Sequence, residues 1–267
     1  MRNIRLDMEY DGTAYHGWQI QKNARSICGE LEKAIEQVVQ HPVKVLGSGR
    51  TDAGVHALGQ VATVRIDKDI PEENLMRAIN SLTPRDIMVH RAVEVPEEFD
   101  ARRDAIERYY RYQCYTGRVP SALMRRMTLF LRRRPDVEAM RRAASALEGT
   151  HDFTAFRSAQ CDADNPVRQL RSLKVIEEKP FLFFDVRANA FLRNMVRILG
   201  STLLEAGYGR LDPHEIPAII ESRDRRRAGP TLPPHGLILM KVTYPGEEDS
   251  PNPPGAVGYS SLREVSS

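Results

Sequence analysis

The sequence predicts an α+β fold in which largely antiparallel sheets are backed by helices, arranged in two halves that meet near residue 105. Three observations predict it. Strand-like and helix-like segments are interspersed in each half. Several strands alternate apolar and polar residues, as antiparallel strands with one solvated face do, so a doubly wound parallel sheet is disfavoured. Hairpin signals recur, such as the Glu178-Lys179-Pro180 turn between two apolar runs.

The elements follow in order. Ile4, Leu6, Met8 and Tyr10 share one face of a first strand, with Arg5, Asp7 and Glu9 on the other, and Asp11-Gly12 ends it. Ile27, Leu31, Ile35, Val38 and Val39 recur at helical spacing over about 26–40. "VKVL" (43–46) is a short strand leading into the glycine-rich stretch "GSGRTDAGVHALGQVATV" (47–64), and after its loop Ala62, Val64 and Ile66 alternate again. Pro71 suits the first turn of a helix to about 82. "IMVHRAVEV" (87–95) and the tyrosine-rich "ERYYRYQCYTG" (107–117) read as strands. Val137, Met140, Ala144 and Leu147 mark a helix closed by Gly149. "SLKVIEEKPFLFFDVRA" is a strand pair. Leu192, Met195, Val196, Leu199 and Leu203 define a long helix ending near Gly207 and Gly209, with Arg193 and Arg197 at the edges of its stripe. A short helix follows Pro213, and "GLILMKVTY" (236–244) is the last strand. The expected organisation is therefore 1–105, 106–245 and a Pro-, Gly- and Ser-rich tail, 246–267, read as disordered.

Composition narrows the class. The chain has 267 residues, of which 41% are hydrophobic, enough for a sizeable core. It has no run of ~18 apolar residues and no apolar signal-peptide core near the start. Cys28, Cys114 and Cys161 lie far apart, which points to a reducing, cytoplasmic setting and away from a disulfide scaffold or zinc ribbon. The net charge is only +3, yet 32 of the 39 basic residues are arginine, whose planar fork grips phosphate and stacks on bases. They cluster at Arg125, Arg126, Arg132, Arg133, Arg134, Arg141 and Arg142, and again at Arg223, Arg225, Arg226 and Arg227. Such runs are solvated faces or phosphate contacts.

The lone carboxylate Asp52, two residues after Arg50, poses the sharpest question. Gly49 and Gly54 have GxxxxG spacing, but Val55-His56 stands where a phosphate loop has Lys-Ser/Thr. GxGxxG fails at position 52. His214-Glu215 begins HExxH, but Ala218 breaks it, and His56 lacks the downstream Cys pair of a zinc deaminase. GxSxG is absent. Two readings survive: Asp52 caps a turn, or Asp52 is a catalytic carboxylate kept ionised by a cation. No facing second carboxylate is evident, which argues against glycoside hydrolysis. His56 reads as a loop-stabilising hydrogen bonder.

"GSGRTDAGVHALGQV" resembles the signature loop of TruA-type tRNA pseudouridine synthases. "EYDGTAYHGWQIQ" (9–21), "RYYRYQCY" (108–115), "DFTAFR" (152–157), "ANAFLRNMVRILGSTLLEAGYGR" (188–210) and "AGPTLPPHGLILMKVTYP" (228–245) resemble further family segments in family order, over roughly residues 3–245. The resemblance implies the pseudouridine synthase fold with a central basic cleft. It implies isomerisation of uridine to pseudouridine in the anticodon stem-loop of tRNA, positions 38–40, without cofactor or metal. It makes Asp52 the catalytic aspartate, Tyr110 the tyrosine that stacks on the target base, and Arg197 the arginine paired with the aspartate. Arg50 becomes a loop arginine that displaces the target nucleotide or holds RNA. It also implies a cytoplasmic homodimer in which one tRNA touches both subunits, with Arg125 to Arg142 as candidate contacts to the tRNA body. The rival reading is a non-catalytic RNA-binding protein that uses the arginines but not Asp52.

Overall fold

The computed structural model describes residues 1–161 and 163–248. It divides into two compact units, the first comprising Met1–Ile106 together with Leu239 onward, the second Glu107–Ile238. In the first unit the order is β1 (Arg2–Tyr10), α1 (Ile27–Val39), β2 (Val45–Gly47), β3 (His56–Ile66), α2 (Glu72–Leu82) and β4 (Ile87–Val95). In the second it is β5 (Glu107–Tyr115), β6 (Leu129–Phe130), α3 (Val137–Ser145), β7 (Gly149–Asp152), β8 (Val167–Glu178), β9 (Phe181–Ala188), α4 (Met195–Gly207) and α5 (Ile216–Ser222). The last strand, β10 (Leu237–Thr243), begins at the end of the second unit and continues into the first.

The first unit's strands run in the order β4-β1-β3-β10, with β2 on β3. β1 is antiparallel to both neighbours, with Leu6 opposite Ala62 on β3 and Ala92 on β4. Ile4, Leu6, Met8 and Tyr10 are all buried, as the alternation requires. β3 is covered along nearly its whole length and is the interior strand. α1 buries Ile27, Leu31, Ala34, Ile35 and Val39 on one stripe. Its N-cap is Ser26, whose hydroxyl accepts the Gly29 N–H at 3.2 Å. α2 buries only Leu75 and Ile79. The Asn80 side chain ties α2 to β4, donating to the Val89 carbonyl and accepting its N–H, both at 2.8 Å.

The second unit's strands run β5-β9-β8-β7, all antiparallel, and the two-residue β6 adds a parallel contact to β5. α4 buries every residue except Arg197 and Glu205, so its two charged side chains stand on an otherwise apolar rod. α3 is capped by Asp136, which accepts from the N–H groups of Glu138 (2.9 Å) and Ala139 (3.1 Å), and it packs on α4. Gly207 permits that approach, because a methyl there would press on Met140.

Some boundaries differ from the sequence expectation. The division falls after Ile106, and Leu239 onward joins the first unit because β10 pairs with β3, a non-local contact that no local pattern encodes. α3 ends at Ser145, and Gly149, at φ +119°, opens β7 instead of closing the helix. α4 starts at Met195 after Asn194 in a left-handed conformation, so Arg193 precedes the helix. From 249 on, the expected disordered tail lies outside the described residues. Among the described residues no helix is long and apolar enough to cross a membrane.

Candidate active site

The stretch between β2 and β3 carries Arg50 and Asp52. Arg50 is exposed and Asp52 half-buried, while their neighbours Ser48, Thr51, Val55 and His56 are buried. Asp52 opens a four-residue turn in which its carbonyl accepts the Val55 N–H at 3.1 Å. Gly54, third in that turn, has φ +75°, a conformation in which glycine carries no steric penalty. Asp52 thus does begin a turn, but through its backbone, and the turn holds the carboxylate at the bend.

The loop is braced by "YDGTAYHGW" (10–18). The Tyr10 hydroxyl lies 2.8 Å from Thr51 Oγ1. The Trp18 N–H donates to the Thr51 carbonyl at 3.0 Å, and the Gly54 N–H to the Tyr15 carbonyl at 3.2 Å. Gly12 lies so close that a methyl on it would overlap the Val55 carbonyl oxygen. The Trp18 ring fills the space a side chain at Gly47 would take. His56 is buried with Nδ1 3.2 Å from the Gly12 N–H and 3.1 Å from Asp11 Oδ1. The Gly12 N–H donates to this nitrogen. The two segments thus hold each other in place.

In the second unit, Tyr110 and Tyr112 share one face of β5, while Tyr109 and Arg111 share the other. Tyr109 donates to Asp185 at 2.8 Å, and Arg111 grips the same carboxylate with two bonds of 2.7 Å. That face is therefore a closed ion-pair cluster. Tyr112 is fully buried, stacks on Phe184 and donates to the Pro233 carbonyl at 2.9 Å, so it belongs to the core. Tyr110 is 8% exposed and meets Phe191 edge-to-face at 5.1 Å between ring centroids.

Arg197 projects from α4 half-buried. Its Nε donates to the Leu232 carbonyl at 2.6 Å and its Nη1 to Asn194 Oδ1 at 2.9 Å. It is no solvated surface arginine: its head group is held by two fixed acceptors. The segment "AGPTLPPHG" (228–236) supplies one of them. It is itself locked to α4 by the Gly229 N–H, which donates to Thr202 Oγ1 at 2.9 Å. Gly236 lies against Tyr112 and the Gln113 carbonyl, where a side chain would not fit. One connecting segment therefore steadies both the arginine helix and the tyrosine strand.

Both arginine runs lie largely at the surface, and members of each are paired. Arg125, Arg126, Arg132, Arg133, Arg134, Arg141 and Arg142 are all exposed, with Arg134 paired to Glu177 (2.7 Å) and Arg141 to Glu138. In the second run Arg223, Arg226 and Arg227 are exposed and Arg225 is half-buried. Arg223 pairs with Asp152 (2.9 Å), Arg226 with Asp224 (2.8 Å), and Arg227 donates to the Ala218 carbonyl (3.1 Å). Among the described residues no group of three or more His, Cys, Asp or Glu side chains could hold a metal ion.

Several supporting residues escaped sequence reasoning. Gln60, Tyr10 and Trp18 fix the Asp52 loop, and Asn194 and Leu232 fix Arg197. The available signal was a polar Gln60 within a strand otherwise rich in apolar residues.

A family model described as tRNA pseudouridine synthase matches residues 8–104 and 143–245. A tRNA pseudouridine synthase A from Geobacter sp. (strain M21) is 45% identical over 246 residues, 92% of this chain and 100% of that protein. Proteins of the same name from Acetivibrio thermocellus and Caldicellulosiruptor bescii are 45% and 43% identical over 244 residues, each match covering 91% of this chain and 100% of theirs.

Proposed function

The chain belongs to the tRNA pseudouridine synthase family, isomerases of tRNA uridine, and from that premise we propose that it converts uridine to pseudouridine in the anticodon stem-loop with Asp52 as the catalytic carboxylate. The reaction is an internal exchange. The N1–C1′ bond breaks, a C5–C1′ bond forms, the C5 proton leaves and N1 gains one. Nothing is oxidised, and no cofactor is called for.

One observation carries the assignment of Asp52. Its carboxylate stands half-exposed at a bend whose flanking residues, Thr51 and Val55, are buried and hydrogen-bonded. A charged group on a rigid frame is what a site needs to act on a ribose held in one pose. Tyr110, Arg50 and Arg197 are the proposed substrate-binding residues. Tyr110 offers an aromatic platform to a base out of its stack. Arg197 offers a guanidinium already held by two acceptors, and Arg50 an exposed cation. The exposed arginines from Arg125 to Arg142 suit phosphates of the tRNA body. A cytoplasmic homodimer completes the proposal.

The test is tritium release from tRNA carrying 5-tritiated uridine. Wild type releases tritium; Asp52→Asn binds tRNA but slows release by at least ~1,000-fold. Normal turnover by that variant would remove Asp52 from the chemistry; tRNA binding without tritium release by the wild type would favour the RNA-binding alternative.

A further inference from the structure

We propose that Gln60 is a positioning residue for the Asp52 carboxylate, acting through the hydroxyls of Tyr10 and Thr51. This rests on reading Asp52 as the catalytic group. Gln60 lies on β3 and is 0% exposed. A buried amide is costly unless its bonds are made. Here all four are made. Oε1 accepts from Ser48 Oγ (2.7 Å) and the Val61 N–H (3.2 Å). Nε2 donates to the Gly49 carbonyl (3.1 Å) and to the Tyr10 hydroxyl oxygen (3.2 Å).

These partners leave the amide no freedom to flip, since Val61 N–H can only donate and the Gly49 carbonyl can only accept. The Tyr10 oxygen therefore receives a hydrogen from Gln60 and shares a second hydrogen bond with Thr51 Oγ1 at 2.8 Å. Burial pushes the Tyr10 hydroxyl up to about 12, so it keeps its proton at neutral pH. The hydrogen bonds run without a break from Gln60 through Tyr10 to Thr51.

Thr51 is then pinned twice, by its side chain and by its carbonyl, which accepts from Trp18 at 3.0 Å. That carbonyl belongs to the planar peptide whose nitrogen is Asp52's own. The next carbonyl, Asp52's, accepts from Val55. Both peptide planes flanking the Asp52 Cα are thus anchored. Gln60 holds three points of this frame at once, at Ser48, Gly49 and Tyr10. Releasing it shifts the carboxylate without touching RNA.

Steady-state tritium-release kinetics on the full chain test this, with Gln60→Glu, Tyr10→Phe, Thr51→Val, Thr51→Ser and Asp52→Asn side by side. Gln60→Glu keeps the two acceptors but loses the donors. Tyr10→Phe keeps the ring packing beside Trp18 but breaks the chain at its middle. Both lower kcat about 10- to 100-fold, leave KM for tRNA within about threefold, and keep a folded far-UV spectrum. Thr51→Ser, which retains the hydroxyl, keeps more kcat than Thr51→Val. If Gln60→Glu does not fold, Tyr10→Phe and the Thr51 pair decide. Wild-type kcat in Tyr10→Phe beside an inactive Asp52→Asn overturns the proposal, as does a loss confined to KM or an equal loss in both Thr51 variants. Normal turnover by Asp52→Asn overturns the reading of the loop itself, and this proposal with it.

Discussion

The Asp52 loop of the first unit and the Arg197–Tyr110 framework of the second hold their side chains by opposite means. Asp52 is held through its main chain: the residues around it are bonded, packed against glycines, or both. Arg197 sits on a regular helix and is held at its far end, where Leu232 and Asn194 take the guanidinium. Tyr110 is held by strand pairing with Val186 and by the ring of Phe191. The difference follows from side-chain length. An aspartate has two torsions, so fixing the backbone nearly fixes the carboxylate. An arginine on a rigid helix still has four, so the head group needs partners of its own.

That contrast can be broken most severely at Gly12. Gly12→Ala places a methyl on the Val55 carbonyl, and backbone cannot yield as a flexible side chain can. The expected cost is roughly 3–5 kcal/mol in urea unfolding, with loss of tritium release. A smaller effect is expected from Arg197→Lys. Lysine keeps the charge but not the fork that reaches Leu232 and Asn194 together. kcat/KM should fall about 10- to 100-fold, the scale of one or two charge-assisted hydrogen bonds. An unchanged value would show that charge alone matters there, and the contrast would lose its second half.

Alkali probes the main-chain side of the comparison. Burial, opposed by the hydrogen bonds to Thr51 and Gln60, raises the Tyr10 hydroxyl to about 12, while the unfolded chain ionises near 10. Between those values the unfolded state loses its proton first. The stability Tyr10 contributes is therefore whole below pH 10 and drains away as pH rises through 12, about 1 kcal/mol being gone at pH 11. Urea midpoints at pH 9 and pH 11 should differ less in Tyr10→Phe than in wild type. The smallest effect belongs to Gly49→Ala. No atom lies within 4 Å of the added methyl, so stability should stay within about 0.5 kcal/mol. A large loss there would mean that the whole loop is braced as tightly as the Gly12 contact.

How much of this was legible beforehand depended on range. The buried face of β1, the stripe of α1 and the apolar run of α4 were readable because each is a period in neighbouring residues. Asp52, Tyr110, Arg50 and Arg197 could be named through the resemblance of their motifs. Periodicity placed Arg197 only at the edge of an apolar stripe, since nothing in "RNMVRILG" shows that a carbonyl 35 positions later will take its Nε. Gly149 misled for a related reason: its positive φ suits a helix end, but here it opens a strand that pairs with β8.

The sequence by itself determined the periodic elements and the family to which the motifs belong. The tertiary structure alone decided that Gly12 must lack a side chain because of Val55, that Gln60 faces Tyr10 and Gly49, and that β10 joins the first unit. Periods and turns are properties of adjacent residues, each with its own torsional preferences. A close approach, or a donor meeting an acceptor across 40 or 50 residues, exists only once cooperative packing has brought the segments together.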